Sequence, residues 1–242
     1  TIQSAIDLAA SLLEQGEAGE VHVAEGTYTI SATLVVKEGI SLYGGYSAVD
    51  WGRDLALHET LIRASDIDTA VKPEEDVTMV TVIEGFTIQA AWMDTVTCIW
   101  CENASPTIRY CTLDASAGIE DSIGIYNKTS TSLIVSNTIN AGSGSSAAWG
   151  IVNVTSPVTI RNNVIYGESA KGKYIGIYNS SGSDAVIQNN TIRAGTSAGD
   201  VGIYNDGSRC IIENNIIFTS SSGCGIWEKD LAALPQRVGY ND

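Results

Sequence analysis

Apolar residues in this chain come in short bursts, mostly β-branched, and each burst is closed by Gly, Ser, Asn or Asp. Residues 158–167 read VTIRNNVIYG and residues 185–195 read AVIQNNTIRAG. No helical period runs through them, so they predict short strands bounded by turns. The opening differs. In TIQSAIDLAASLLEQG, Ile2, Ile6, Ala9 and Leu13 recur at helical spacing, Leu12 widens the same stripe and Gly16 is a stop, which predicts a helix over residues 1–16.

The bursts repeat. GIYN begins at Gly124, Gly176 and Gly202, and GIVN at Gly150, so the four glycines step by 26. A second motif keeps pace: SNTI, NNVI, NNTI and NNII place Asn137, Asn163, Asn190 and Asn215 at steps of 26, 27 and 25. CIWC (98–101), IRYCTL (108–113) and IEGFTI (83–88) carry the register backwards. A fixed period of this length marks a stacked solenoid. A repeat holding two or three strands is too short for a propeller blade and lacks a leucine-rich pattern. The remaining solution is a parallel β-helix, each repeat one coil about 4.8 Å above the last, and right-handed because parallel crossovers are.

In that coil Ile125, Ile151, Ile177 and Ile203 point inward over one another, and Ile139, Ile165, Ile192 and Ile217 form a second interior stack. Asn137, Asn163, Asn190 and Asn215 are expected to take the left-handed backbone of a tight corner and to hydrogen-bond coil to coil as a structural ladder. Asn127, Asn153 and Asn179 fit the N-glycosylation sequon, but Asn205 continues their column without one, so a ladder is expected there too. Trp100, Tyr126, Tyr178, Tyr204 and Trp227 follow the inward Ile of their repeats and should form an outward column, interrupted by Val152, that stacks on itself or binds sugar or protein.

At the ends, the helix over 1–16 is expected to lid the first coil, with residues 17–242 forming the β-helix. Asn241 lies 26 beyond Asn215, so VGYND should open another coil, reached through a loop at 231–237; that coil is incomplete, as in a fragment or an end resting on another molecule.

A net charge of −15 and a pI near 4.4 argue against nucleic acid or anionic lipid as partners, and no apolar run is long enough to span a membrane. No basic start followed by an apolar stretch is present. Five Cys is an odd count, so at least one thiol is unpaired within the chain. The C-x-x-C of Cys98 and Cys101 has no second pair and no local His; it replaces Gly and Asn of a strand repeat and reads as buried packing rather than a metal site.

TIQSAIDLAA, VHVAEGTY, ISLYGGYS, the step Trp51-Gly52-Arg53-Asp54 and the NNxI repeats together resemble bacterial right-handed parallel β-helix proteins of the pectin-lyase-like superfamily, in particular extracellular repeat proteins of unassigned activity. The resemblance spans nearly the whole chain. It implies the β-helix fold and an extracellular or cell-surface location, within a superfamily that includes polysaccharide lyases, glycoside hydrolases, phage tailspikes and adhesins.

The hydrolase motifs of that superfamily are absent here. Glycan cleavage needs paired carboxylates, or acids holding calcium beside a base. In register with Asp114 stand Asn140, Tyr166 and, one residue along, Arg193; the Arg109 column reads Val135, Arg161, Gln188 and Glu213. His22 and His58 are isolated. Asp66, Asp68, Glu74, Glu75 and Asp76 fall in one irregular stretch where a weak calcium site is conceivable, though no recognised calcium-loop spacing occurs, so no cofactor is expected. The expected function is therefore a non-catalytic extracellular scaffold, adhesin-like or carbohydrate- or protein-binding module. The alternatives are a subunit that associates end to end into a filament or surface layer, and a polysaccharide lyase or glycoside hydrolase.

Overall fold

A strand placed every third of a repeat lets each turn of the chain lay one strand on each of three faces. The structure, a computed structural model, describes residues 1–13, 18–167, 172–195, 197–230 and 234–242. Among these residues three sheets of nine, eight and eight strands run through the molecule, and every strand pairing is parallel. One coil shows the plan: Thr107–Arg109 in the first sheet, Thr112–Asp114 in the second and Asp121–Lys128 in the third, after which Leu133–Val135 returns to the first.

The interior columns lie where the repeat put them. Ile99, Ile125, Ile151, Ile177 and Ile203 are in register on the third sheet and fully buried. Leu113, Ile139, Ile165 and Ile192 do the same on the second sheet, and Ile217 closes that column half-buried. Burial of each such side chain stabilises the fold by about 1.5–3 kcal/mol.

The glycine of GIYN is there for space. A Cβ on Gly150 would lie 2.4 Å from the carbonyl oxygen of Gly176 and 2.4 Å from Cγ2 of Ile165. Gly124, Gly176 and Gly202 meet the same pair of atoms in their own coils, and none of the four has a left-handed φ. At this position the coil above and the second-sheet isoleucine both press against Cα.

The asparagines divide the corner between them, and one expectation is corrected. The left-handed residues are Ser136, Asn162, Asn189 and Asn214, with φ of 56°, 57°, 57° and 54°, one position before the ladder. The ladder residues themselves are buried. The Oδ1 of Asn163 accepts from the backbone N–H of Asn137 at 2.9 Å and from its Nδ2 at 3.0 Å, while its own Nδ2 donates to Asn190 Oδ1 and the carbonyls of Ile134 and Arg161. The bonds between Asn190, Asn215 and Asn241 repeat this, which puts VGYND in register with the coil below; Arg237–Gly239 pairs with Ile211–Glu213. In each NN doublet the first Asn makes the turn and the second makes the ladder.

A second ladder links Asn127, Asn153, Asn179 and Asn205, Nδ2 to Oδ1, at 2.9, 2.8 and 2.8 Å. All four are fully buried, so the sequon match comes from the repeat. A third ladder escaped the sequence reading: the backbone N–H groups of Ser130, Ser156 and Ser183 donate to the hydroxyl oxygens of Ser156, Ser183 and Ser208.

The asparagine column of the third sheet begins at Cys101, which lies in register with Asn127, and Asn127 Oδ1 is buried with no hydrogen-bond partner. A Cys101→Asn replacement should supply the missing donor and raise stability by about 1 kcal/mol, read as a higher urea midpoint at unchanged m. Loss of stability would show that this level of the column has no room for an amide.

All five cysteines are free. Cys98, Cys101, Cys111 and Cys210 are buried, and burial pushes the Cys101 and Cys210 thiols up to about 12 and Cys111 to about 11, the character of packing residues.

The helix spans Ile2–Leu12, capped by Thr1, whose hydroxyl accepts from the N–H of Ser4 at 3.1 Å. Ile2 and Ile6 seal the first coil, against the strands Gly19–Ala24 and Leu34–Val36. Leu12 does not widen this face: it is 73% exposed, because the turn carries it to the outer side, whereas Leu13 leaves the helix and packs inward. Gly16 and residues 231–233 of the expected loop lie outside the described residues.

Candidate functional site

Two outward columns carry most of the polar chemistry, and neither brings carboxylates together. On the second sheet Gln89, Asp114, Asn140, Tyr166 and Arg193 are in direct register; the extra residue of the 27-residue step is absorbed before the strand, so Arg193 is not displaced. On the first sheet the column runs Tyr43, Glu84, Arg109, Val135, Arg161, Gln188 and Glu213. Glu84 is buried between two cations, 2.7 Å from Arg53 Nη2 and also bonded to Arg109 Nε.

That ion-paired cluster holds down the loop between Tyr46 and Thr60, and it explains the YGGYS and WGRD motifs. Arg53 donates to the carbonyl of Gly44 and lies over the rings of Tyr43 and Tyr46. Leu55 occupies the space a side chain would need at Gly45, where a Cβ would come within 2.3 Å of its Cδ2. His58 bonds to Glu25 at 3.0 Å, and His22 stacks on Tyr46 with ring centres 4.5 Å apart, so both histidines serve packing and pairing.

The acid-rich stretch is not one ligand set. The strand Thr69–Pro73 runs through it and puts Asp66 and Asp68 at one end and Glu74, Glu75 and Asp76 at the other. Among the described residues no three His, Cys, Asp or Glu side chains gather as a metal site would require.

The third sheet carries the aromatic column. Trp100, Tyr126, Val152, Tyr178, Tyr204 and Trp227 are in register on successive strands. Trp100 and Tyr126 stack at 4.2 Å, and Tyr178 and Tyr204 lie 5.4 Å apart. Trp149, which the sequence reading passed over, lies beside the interruption at Val152 and packs edge-on against Tyr178 at 5.3 Å. The signal was there: the repeat that loses its aromatic after GI gains one before it.

Rings stacked on one another show their edges to solvent. The stack parts at Val152 and again beyond Tyr204. Tyr204 and Trp227 are register partners but make no ring contact, and a cleft of about 390 Å³ opens there, lined by Lys173, Gly199, Val201, Tyr204, Ser222, Gly223, Cys224 and Trp227. The coil is short here: Tyr204 to Trp227 is a step of 23, against 26 from Tyr178 to Tyr204. Trp227 is 49% exposed, and Lys173 Nζ sits 4.6 Å from the centre of the Tyr204 ring. Two cations beside the column are paired, Lys128 with Glu102 at 2.8 Å and Lys229 with Asp206 at 2.7 Å.

A second cavity, of about 300 Å³, lies at the other end among Ile2, Tyr28, Ile30 and Leu34. The helix packs mainly on strands of the first and third sheets, and the cavity lies beside it along Gly26–Ile30 of the second.

The family model described as "Right handed beta helix region" matches residues 97–234, more than half of the chain. The chain belongs to the right-handed β-helix family, as the motif resemblance implied. No curated protein matches it by sequence. Among solved structures it is similar to ORF18 of Geobacillus virus E2, at 11% identity and a TM-score of 0.46 over 99% of this chain and 56% of that one. It is similar to the Dettilon tailspike protein, at 12% identity and a TM-score of 0.43, over 96% and 66% of the two chains. The A-module of the mannuronan C-5 epimerase AlgE4 of Azotobacter vinelandii aligns at 16% identity with a TM-score of 0.37, over 98% and 90%. The chain thus spans less than two thirds of the first two structures. No helix among the described residues is long and apolar enough to cross a membrane.

Proposed function

We propose that this chain is a non-catalytic, extracellular β-helix whose third sheet binds a linear glycan. The observation that carries the reading is the aromatic column and the cleft in which it ends. Tyr and Trp offer large rigid contact area at little entropic cost, and a rigid solenoid holds them in a line along which a polymer can lie. Tight stacking of Trp100 on Tyr126 gives that part of the column a structural role, so contact with ligand concentrates where the stack is open. The non-catalytic part of the reading rests on the two polar columns, in which Glu84 is held between arginines and Asp114 has Gln89 and Asn140 as neighbours.

A glycan array probed with the intact protein tests this. Binding should be confined to glycan spots, and the bound polymers should yield no new reducing ends or unsaturated products after prolonged incubation. Product release would establish the lyase or hydrolase reading instead. Absence of binding to any glycan would end the proposal.

A further inference from the structure

We infer that the cleft between Tyr204 and Trp227 is a discrete subsite for one uncharged pyranose ring, stacked on the free face of Trp227; this rests on the glycan-binding reading above. Along the column Trp100 covers Tyr126, Trp149 abuts Tyr178, and Tyr178 approaches Tyr204, so those ring faces are occupied by protein. Lys173 lies over the ring of Tyr204. Trp227 is the register partner of Tyr204 but makes no ring contact with it, so the indole face on the Tyr204 side lines the cleft. A pyranose offers a face of C–H groups, which the negative face of an indole attracts.

The polar groups around the cleft set the class of ring. Lys173 has no carboxylate partner among the described residues and its ammonium reaches into the cleft, placed to donate to ring hydroxyls, as is the hydroxyl of Ser222. Lys229, the other nearby cation, is already held by Asp206, while Glu228 points the other way, its Oε1 accepting from Asn205 Nδ2 in the inward column. A single ammonium without a carboxylate partner among the described residues, in a chain of net charge −15, does not favour a polyanion. The short coil supplies the room, since a repeat of full length would bring more chain into this space.

The test uses the intact protein with cellohexaose, laminarihexaose, mannohexaose and, as the charged comparison, a galacturonate hexamer. Indole N–H resonances of the five Trp, assigned by substitution, are followed during titration. The expected result is that a neutral hexasaccharide moves the Trp227 signal and leaves that of Trp100 in place, and that Trp227→Ala weakens binding at least tenfold whereas Trp100→Ala changes it less than twofold. Trp227→Phe should recover part of the loss, and an unchanged melting curve for Trp227→Ala would show that the coil is intact. Binding that moves Trp100 and tolerates Trp227→Ala would overturn the subsite and leave the glycan face standing. Binding of the galacturonate hexamer alone at Trp227 would overturn the uncharged class. If none of the four hexamers moves any indole signal, the subsite falls; the array separately decides whether the glycan reading falls with it.

Discussion

Gly150→Ala, the addition of a single methyl group, is expected to destabilise the protein by about 3 kcal/mol or more, with a fall in melting temperature of roughly 6–12 °C for a chain of this size. The new Cβ would meet the carbonyl oxygen of Gly176 and Cγ2 of Ile165, both at 2.4 Å. The isoleucine can rotate, but the carbonyl belongs to the next coil and is held in a parallel ladder, so relief requires moving backbone. Gly182→Ala is the control. Its φ is +74° and nothing lies within 4 Å of the added methyl, so it should cost only the roughly 1–2 kcal/mol of a left-handed alanine. Equal losses at the two sites would mean that backbone conformation, and not space, keeps Gly in GIYN.

Asn163→Ala should cost about 4 kcal/mol. The substitution strips the acceptor from the N–H and Nδ2 of Asn137 and the donor from Asn190 Oδ1 and the carbonyls of Ile134 and Arg161, all at a buried corner. Each buried polar group left without a partner costs about 1–3 kcal/mol, reduced where water can enter or a neighbour can re-pair. The residue beside it makes the comparison. Asn162 is exposed with φ 57°, so Asn162→Gly should change stability by less than about 0.5 kcal/mol. Similar effects of the two substitutions, in urea unfolding monitored by circular dichroism, would refute the division of labour within the doublet.

That division shows where sequence reading reached its limit. The repeat identifies NN as a corner and its second member as a ladder position, but not which of the two residues takes the left-handed turn, since Asn suits both roles. Glu84 shows the same limit from another side. Its place on an outward column follows from register, yet the arginine that buries it arrives on a loop with no repeat partner. The serine ladder was within reach, because Ser130, Ser156, Ser183 and Ser208 follow the asparagine column at near-constant offset. Serine is common in turns, so its column does not stand out from ordinary turn composition.

The sequence by itself determined the coil, its period, the inward isoleucine columns and the two asparagine columns. Stacking gives every repeat the same environment, so a physical requirement at one level is written again about 26 residues later. Only the tertiary structure decided what happens where the pattern breaks: Trp149 packing against Tyr178 beside Val152, Leu12 turned to solvent, and the stack parting between Tyr204 and Trp227. Those outcomes depend on ring orientation and on how a coil three residues short closes against its neighbour. Both are set by packing between coils, which a repeating pattern of residue types does not encode.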